Sequence, residues 1–120
     1  MLNSYKDLRV WQESICLVIE IYRLTALFPK TEVYGITIQM RRAAISIPSN
    51  IAEGYTRKYR PEYLQFLRVA FSSGAELETQ LIIAKNLKLA PLKEFEKSDE
   101  LLNKVMRMLN NLMDKLNPKP

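Results

Sequence analysis

Histidine is absent from the 120-residue sequence, and this absence excludes several kinds of chemistry at once. Neither a Ser-His nor a Cys-His catalytic pair can form, because both need an imidazole as the general base. The Glu-x-x-His motifs of di-iron and di-manganese bundles are excluded for the same reason. A single cysteine with carboxylates is also a poor ligand set for zinc. We therefore expect a protein that is not an enzyme and that holds neither a metal nor a cofactor.

Cysteine is nearly absent as well, since Cys16 stands alone and cannot form an intramolecular disulfide. A reducing compartment is therefore permitted. The N-terminal residues lack a basic region followed by an apolar stretch, which is the pattern of a secretory signal. The most apolar run nearby, residues 15–19, is far shorter than the ~20 residues that a membrane span needs. These features predict a soluble, cytoplasmic protein without a membrane partner.

Apolar residues make up 48% of the chain and recur at helical spacing almost throughout. The length suits one domain over residues 1–120, in which 117–120 form a frayed tail. Prolines and capping residues delimit four predicted helices, from Ser4 or Tyr5 to Leu27, Thr31 to Thr56, Pro61 to Leu89, and Pro91 or Leu92 to Leu116. Short links between them predict an all-α, up-down-up-down four-helix bundle. Pro48 lies inside the second helix, where we expect a kink.

The first two helices differ in the regularity of their apolar stripes. In the first, residues that step by three and four predict the bundle-facing side, namely Leu8, Trp11, Ile15, Val18, Tyr22 and Thr25. The second carries a polar ridge at the same kind of spacing, made of Gln39, Arg42, Ser46, Asn50 and Glu53, while its apolar side is marked by Ile38, Ile45, Ile47 and Ile51. The ridge is either a solvated helix face or a polar seam between helices or subunits.

The third helix offers a partner for this ridge, because it carries polar residues at helical spacing, namely Ser72, Ser73, Glu76 and Thr79. The preferred contact is a cross-helix or cross-subunit ion pair between Arg42 and Glu76, which would specify geometry more than it adds stability. Pro48 and Gly54 are unusual in a helix and are assigned to the same seam. Glu76 and Glu78 could act as acid and base, yet no metal motif or phosphate-binding loop accompanies them.

The link between the second and third helices is basic and aromatic. Interleaved tyrosines and cations stack on bases and bind phosphates, although a solvated loop with snorkelling side chains has the same composition. The topology brings further cations to the same end, so that the candidate nucleic-acid site comprises Lys6, Arg9, Arg57, Lys58, Tyr59, Arg60 and Lys115, with Lys119 beside them. The nearby carboxylates are Asp7, Glu53, Glu62 and Asp114. The cations at this end outnumber the carboxylates, and this positive excess has the same sign as the formal net charge of +5.

One run in the second helix matches a known signature, through Gln39, Arg42, Ala43, Ala44, Ser46, Ile47, Pro48, Asn50, Ile51, Ala52, Glu53 and Gly54. Further matches are Leu8 with Trp11, Phe28 with Pro29, Tyr34 with Gly35, Phe66 and Leu67 with Ala70, and Ser73 with Glu76, Leu77 and Glu78. Together they span essentially the whole chain, which resembles the bacterial four-helix bundle family named for 23S rRNA intervening-sequence proteins and labelled ribosomal-protein-like. Ser72 departs from the pattern, since the family usually has glycine there.

The resemblance implies a ring-like homopentamer of four-helix bundles. The family is also similar to the accessory variability proteins of diversity-generating retroelements, which implies nucleic acid and a reverse transcriptase or a ribonucleoprotein as partners. It also implies that the residues of the polar ridge stabilise the fold or the assembly and do not face solvent. The function expected from these observations is a homo-oligomeric basic scaffold that binds RNA or DNA. The alternative is a protein–protein interaction module without a nucleic-acid role.

Overall fold

The computed structural model describes residues 4–117, which contain the α-helices α1 (Arg9–Thr25), α2 (Ile38–Thr56), α3 (Arg60–Asn86) and α4 (Glu96–Leu116). No strand is found between residues 4 and 117. Helix α1 packs on α2 and α4, and α3 packs on the same two helices. Neighbouring helices are antiparallel, since Ser46 contacts Ser73 while Gly54 lies close to Phe66. The prediction of an all-α chain of four helices is confirmed, and the packing is that of an up-down-up-down bundle.

The first helix is shorter than predicted. Residues Tyr5–Asp7 form a 3₁₀ turn, and the Ser4 hydroxyl caps this turn by accepting a hydrogen bond from the Lys6 amide at 3.0 Å. Leu8 is extended, with φ −74° and ψ 126°, so α1 begins only at Arg9. Ser4 is therefore a cap, as expected from its position, but it caps a separate turn. The predicted end at Leu27 is also wrong, because α1 ends at Thr25.

The second helix begins at Ile38 rather than at Thr31. A 3₁₀ turn over Lys30–Glu32 and a π turn over Val33–Thr37 precede it. Gly35 has φ −111° and ψ −118°, which is not a helical conformation, and this interrupts the helical segment before α2. Helix α2 is then continuous through Pro48, and the kink expected at that residue stays a prediction.

The later boundaries also move by a few residues. Helix α3 begins at Arg60, with Pro61 in its first turn where the missing amide proton is tolerated. It ends at Asn86 rather than Leu89, because Lys88 has φ 56° and cannot continue a right-handed helix. A 3₁₀ turn over Leu92–Phe95 precedes α4, whose end at Leu116 is as predicted. Of the expected frayed tail, residues 118–120 lie outside the described part of the chain.

The core-facing side of α1 differs from the predicted stripe. The buried residues on this helix are Val10, Ser14, Leu17, Glu20, Ile21, Leu24 and Thr25. Trp11, Ile15 and Val18 are only half-buried, and Tyr22 is exposed. The true stripe escaped prediction because it contains a serine, whose hydroxyl is satisfied inside the helix by the Trp11 carbonyl at 2.7 Å.

The remaining helices also bury apolar side chains in the core. Those on α3, on α4 and in the turn before α4 include Leu67, Ala70, Leu77, Leu81, Ala84, Phe95, Leu102, Val105 and Leu109. On α2, Ile47 and Ile51 are buried, but Ile38 and Ile45 lie on the exposed surface. The apolar side predicted for α2 is therefore only half correct, because two of its isoleucines lie outside the buried core.

Arg23 connects the buried Glu20 on its own helix, α1, to Glu94 in the turn before α4. Glu20 is only 3% exposed, and it accepts hydrogen bonds from Arg23 at 2.6 Å and 2.9 Å. The same guanidinium donates to the Glu94 carboxylate at 3.1 Å and to its backbone carbonyl at 3.0 Å. These bonds compensate the cost of burying the Glu20 carboxylate and raise the pKa of Arg23.

Gly54 marks the closest approach of α2 to α3. A Cβ atom at this position would lie 2.8 Å from Phe66 Cβ and 2.9 Å from Tyr63 Cδ1. Neither neighbour is the free end of a flexible chain, and the Tyr63 carbonyl oxygen at 3.2 Å closes the remaining space. The two helices can therefore keep this distance only with glycine here.

We expect Gly54→Ala to destabilise the protein by about 1–3 kcal/mol, because the added methyl overpacks a contact between two backbones. Urea unfolding followed by circular dichroism measures this change. Ser49→Ala is the matched control, since Ser49 lies exposed on the same helix and its hydroxyl forms no hydrogen bond within residues 4–117. Equal stability of Gly54→Ala and the control would contradict the close-packing argument.

Candidate nucleic-acid interface

The antiparallel bundle brings the predicted cations to one end, as the topology requires. This end holds the start of α1, the link at residues 57–59 and the end of α4. Arg9 and Lys115 line one groove of about 300 Å³ between α1 and α4, together with Leu8 and Leu112. The predicted site residues Lys6, Arg9, Arg57, Lys58, Tyr59, Arg60 and Lys115 are all exposed. Lys119 lies outside the described residues.

The cations of the link differ in their freedom. Arg57 forms an ion pair with Glu53 at 3.4 Å, and its guanidinium lies 5.0 Å from the centre of the Phe66 ring. Lys58 and Arg60 have no hydrogen-bond or ion-pair partner for their side chains in the part of the chain that the structure describes. These two side chains can therefore contact an anion without breaking an existing interaction.

The three tyrosines of this region also separate into two kinds. Tyr55 and Tyr63 pack edge to face, with ring centroids 6.0 Å apart and an interplanar angle of 89°. Both are half-buried, so they stabilise the junction between α2 and α3. Tyr59 is 62% exposed. It is the tyrosine of this group whose ring face is available to stack on a base.

The charge surplus at this end is real but small. Six described cations, Lys6, Arg9, Arg57, Lys58, Arg60 and Lys115, stand against the four carboxylates Asp7, Glu53, Glu62 and Asp114. The surplus is thus two positive charges for one chain. At the ~8 Å Debye length of physiological salt, this field decays quickly. Strong attraction of a polyanion would require several such ends side by side.

The middle of the polar ridge on α2 is a seam within the chain. The hydroxyls of Ser46 and Ser73 are hydrogen-bonded at 2.8 Å, and Ser73 is buried. The Asn50 amide nitrogen donates to the Ser46 carbonyl at 2.8 Å and to its hydroxyl at 3.0 Å. The Ser46 hydroxyl therefore faces α3, as one of the two interpretations of the sequence proposed, and Asn50 is bonded to Ser46 on its own helix.

The outer members of the ridge are exposed in the single chain. Gln39, Arg42 and Glu53 all lie on the surface. Arg42 and Glu76 form no ion pair within residues 4–117, so the cross-helix form of this predicted contact is wrong. Glu76 instead accepts a bond from the Gln80 amide at 3.4 Å. The cross-subunit form of the pair stays a prediction.

Two other residues assigned to the seam contact different helices. Pro48 is buried against α1, where it lines a groove with Trp11 and Ile15. Gly54 lies at the α2–α3 contact described above. Sequence reasoning also missed Gln80, whose amide oxygen is buried without a partner within the described residues. Its position seven residues after Ser73, two helical turns along the same face, was the available signal.

Two further features were sought among the described residues, a metal site and a membrane-spanning helix. No group of three or more His, Cys, Asp or Glu side chains between residues 4 and 117 is arranged to hold a metal ion. Within the same range, no helix combines the length and the apolar character needed to cross a membrane.

The fold and the exposed cations define a class: a small four-helix bundle with a basic end. The family model of the 23S rRNA-intervening sequence proteins matches residues 6–111, and the chain belongs to that family. The crystal structure of a protein of unknown function from the S23 ribosomal protein family of Bacteroides thetaiotaomicron is similar, with a TM-score of 0.81 and 18% identity over 88% of this chain and 98% of that one. At this identity the likeness concerns the fold alone. No curated protein matches the sequence.

The half-buried phenol of Tyr63 makes stability depend on pH. Burial, reinforced by Tyr55, raises the pKa of Tyr63 from 10.0 to about 12. The folded protein therefore holds this proton where the unfolded chain releases it, so the free energy of unfolding falls as the pH rises from about 10 towards about 12. We expect Tyr63→Phe to make this fall shallower in urea unfolding at a series of alkaline pH values.

Tyr59→Phe is the control for this measurement, because it removes a phenol from an exposed position. A fall that is as shallow in Tyr59→Phe as in Tyr63→Phe would contradict the assignment to the Tyr55–Tyr63 contact.

Proposed function

We propose that this chain is a non-enzymatic scaffold that associates with copies of itself and binds nucleic acid through its basic end. The observation that carries the proposal is the arrangement of the link at residues 57–59. Lys58 and Arg60 project from it without partners in the described chain, and Tyr59 is exposed between them. Two free cations that flank an exposed ring match the chemistry of a phosphate–base–phosphate unit.

Single-stranded nucleic acid fits this arrangement better than a duplex. The bases of a single strand are unstacked and can pack on an exposed aromatic ring, whereas those of a duplex are not accessible. The site consists of a short link and helix ends, so the expected recognition is by backbone charge and stacking rather than by sequence. RNA and DNA strands both satisfy this chemistry.

Self-association would supply the charge that one chain lacks. A surplus of two positive charges at each end becomes a broad basic surface when several ends lie side by side. The family resemblance favours a ring-like homopentamer for this purpose, with a reverse transcriptase or a ribonucleoprotein as a further partner. A strand bound at one site of such an assembly is also held close to the neighbouring sites, which raises its effective concentration there.

A second candidate function is a protein-interaction module without nucleic acid, which the exposed isoleucines on α1 and α2 favour. The two functions differ in what accompanies the freshly purified protein. An absorbance ratio that reveals bound nucleic acid, removed by high salt, supports the first. Clean protein that binds neither RNA nor DNA oligonucleotides supports the second.

We expect Lys58→Gln/Arg60→Gln to weaken the binding of a labelled single-stranded RNA or DNA oligonucleotide. For single strands each lost phosphate contact reduces the slope of log K against log salt by ~0.7, so the pair should reduce it by about 1.4. Near 0.1 M salt this corresponds to a loss of roughly 25-fold in affinity. Fluorescence anisotropy across a salt series measures both quantities.

The matched control is Lys93→Gln/Lys97→Gln, which removes two exposed cations at the opposite end of the bundle. An equal loss in the control would mean that net charge, and not the basic end, drives binding. Binding of the wild type that did not weaken with salt would remove the phosphate contacts from the proposal.

A separate prediction concerns Tyr59. Tyr59→Ala should weaken binding by about 1–3 kcal/mol through lost stacking, while leaving the salt slope unchanged. Tyr59→Phe keeps the ring and should bind as the wild type does. Loss of affinity in both variants would assign the effect to the hydroxyl instead of the ring.

A further inference from the structure

The large apolar side chains that lie exposed on the helices are unevenly distributed. Those in the described helices are Ile19 and Tyr22 on α1, Ile38 and Ile45 on α2, and Val69, Ile82 and Ile83 on α3. Helix α4 has none among its described residues. Its outward positions are polar, as at Asn103, Arg107 and Asn110. Helix α4 is thus suited to water, while the other three helices carry apolar surface that the bundle leaves uncovered.

One part of this surface, here named the arginine face, lies on α1 and α2 and comprises Ile19, Tyr22, Ile38, Ile45, Arg41 and Arg42. Ile19 is 65% exposed. Arg41 lies over the Tyr22 ring at 4.4 Å and donates to the Thr25 hydroxyl at 2.9 Å, so the α1 and α2 parts of this face are joined through Arg41.

The charge of the arginine face has one sign. Between residues 38 and 52 of α2, Arg41 and Arg42 are the charged residues. The two carboxylates of α1 are occupied elsewhere, because Glu13 pairs with Lys104 of α4 at 3.0 Å and Glu20 pairs with Arg23.

A second part, here named the glutamate face, lies on α3 and comprises Val69, Glu76 and Ile83. These residues recur every seven positions, which places them on one side of the helix, and all three are exposed. Between residues 69 and 84 the charged residues are Glu76 and Glu78. This face therefore combines apolar side chains with negative charge alone.

The two faces are complementary, and their charges are not neutralised within the described chain. Arg42 has no partner there, and Glu76 contacts only Gln80 at 3.4 Å. Pairing two arginine faces would oppose Arg42 to like charges, and pairing two glutamate faces would do the same with Glu76. Contact between unlike faces avoids both conflicts and covers apolar surface on each side.

We propose that the arginine face of one copy of this chain packs on the glutamate face of the next copy, and that α4 stays outside the contact. This inference rests on the self-association proposed above, and it adds which faces are in contact and that the two faces of a contact differ. A contact between two different faces is heterologous, so each copy keeps one free face after a single contact. Assembly then continues into a closed ring or a filament instead of stopping at a two-fold dimer.

The test uses three full-length double variants with equal added charge. Ile19→Glu/Ile45→Glu inactivates the arginine face, Val69→Glu/Ile83→Glu inactivates the glutamate face, and Asn103→Glu/Asn110→Glu is the control on α4. Light scattering should show that the control keeps the wild-type mass. Each face variant alone should fall to the mass of one chain, 14.0 kDa, because carboxylates buried in the contact would lack partners.

An equimolar mixture of the two face variants gives the decisive result. Each contributes one intact face, so the mixture should form a one-to-one complex of twice the chain mass and nothing larger. A mixture that stays monomeric, or a face variant that keeps the wild-type mass, would overturn the assignment of the faces. A wild type that is itself monomeric would instead overturn the proposed self-association.

Charge reversal provides a second measurement that does not disturb apolar packing. Arg42→Glu and Glu76→Arg change side chains that form no ion pair within residues 4–117, so the fold should survive, as circular dichroism would confirm. Each single reversal should raise the dissociation constant of the assembly at least tenfold, and the double reversal should recover most of that loss. Single reversals without effect, or a double variant worse than either, would contradict the proposed contact.

Discussion

Between Gly54 and the side chains of Tyr63 and Phe66 there is no room for a Cβ atom, and this close approach determines where the basic end lies. It brings the end of α2 against the start of α3, so the connection between them needs only residues 57–59. A connection this short cannot fold back over the bundle. Lys58 and Tyr59 must therefore project from the end, where the start of α1 and the end of α4 add further cations.

Further along the same helix pair, hydrogen bonds fix the register that the close packing alone would leave open. Ser46, Asn50 and Ser73 satisfy one another between α2 and α3. A shift of α2 against α3 would separate these groups and leave a buried hydroxyl without a partner, which is unfavourable in the interior. Apolar contacts tolerate small shifts better, because they lack direction. The seam therefore contributes more to specifying the bundle than to its stability.

Helical spacing was sufficient to predict the four helices, their order and the end at which the cations gather. It could not decide which of two adjacent apolar stripes on α1 faces the core. The answer depends on Ser14 and Glu20, whose polar groups are satisfied by Trp11 and Arg23 and are therefore compatible with burial. Local turns were missed for a similar reason, since Gly35 ends a helical segment through a backbone conformation that composition does not reveal.

The contacts predicted between α2 and α3 show what helical spacing can and cannot predict. Ser73 was correctly named as a residue facing the ridge, because helical periodicity fixes the face of a helix. The pairing of Arg42 with Glu76 inside the chain was wrong, because the reach of two side chains depends on how the helices are rotated against each other. The exposure of Ile38 and Ile45 depends on the same rotation. Periodicity predicts which residues of one helix share a face. Which residues of two helices touch depends on how each helix is rotated about its own axis.

The basic end and the exposed apolar side chains lie on different parts of the molecule, so that an assembly through the sides would leave the charged ends accessible. The basic residues lie at one end of an elongated molecule measuring 47 × 26 × 22 Å, whereas the exposed isoleucines lie along its sides. Contacts between sides leave the ends free. If successive copies are related by rotation about an axis parallel to the helices, every basic end lies on the same rim, and the surplus charge adds. A two-fold axis perpendicular to the helices would place the ends on opposite sides and keep each surplus separate. In the proposed assembly, the heterologous polarity of the side contact would therefore allow a weakly charged chain to present a strongly charged surface.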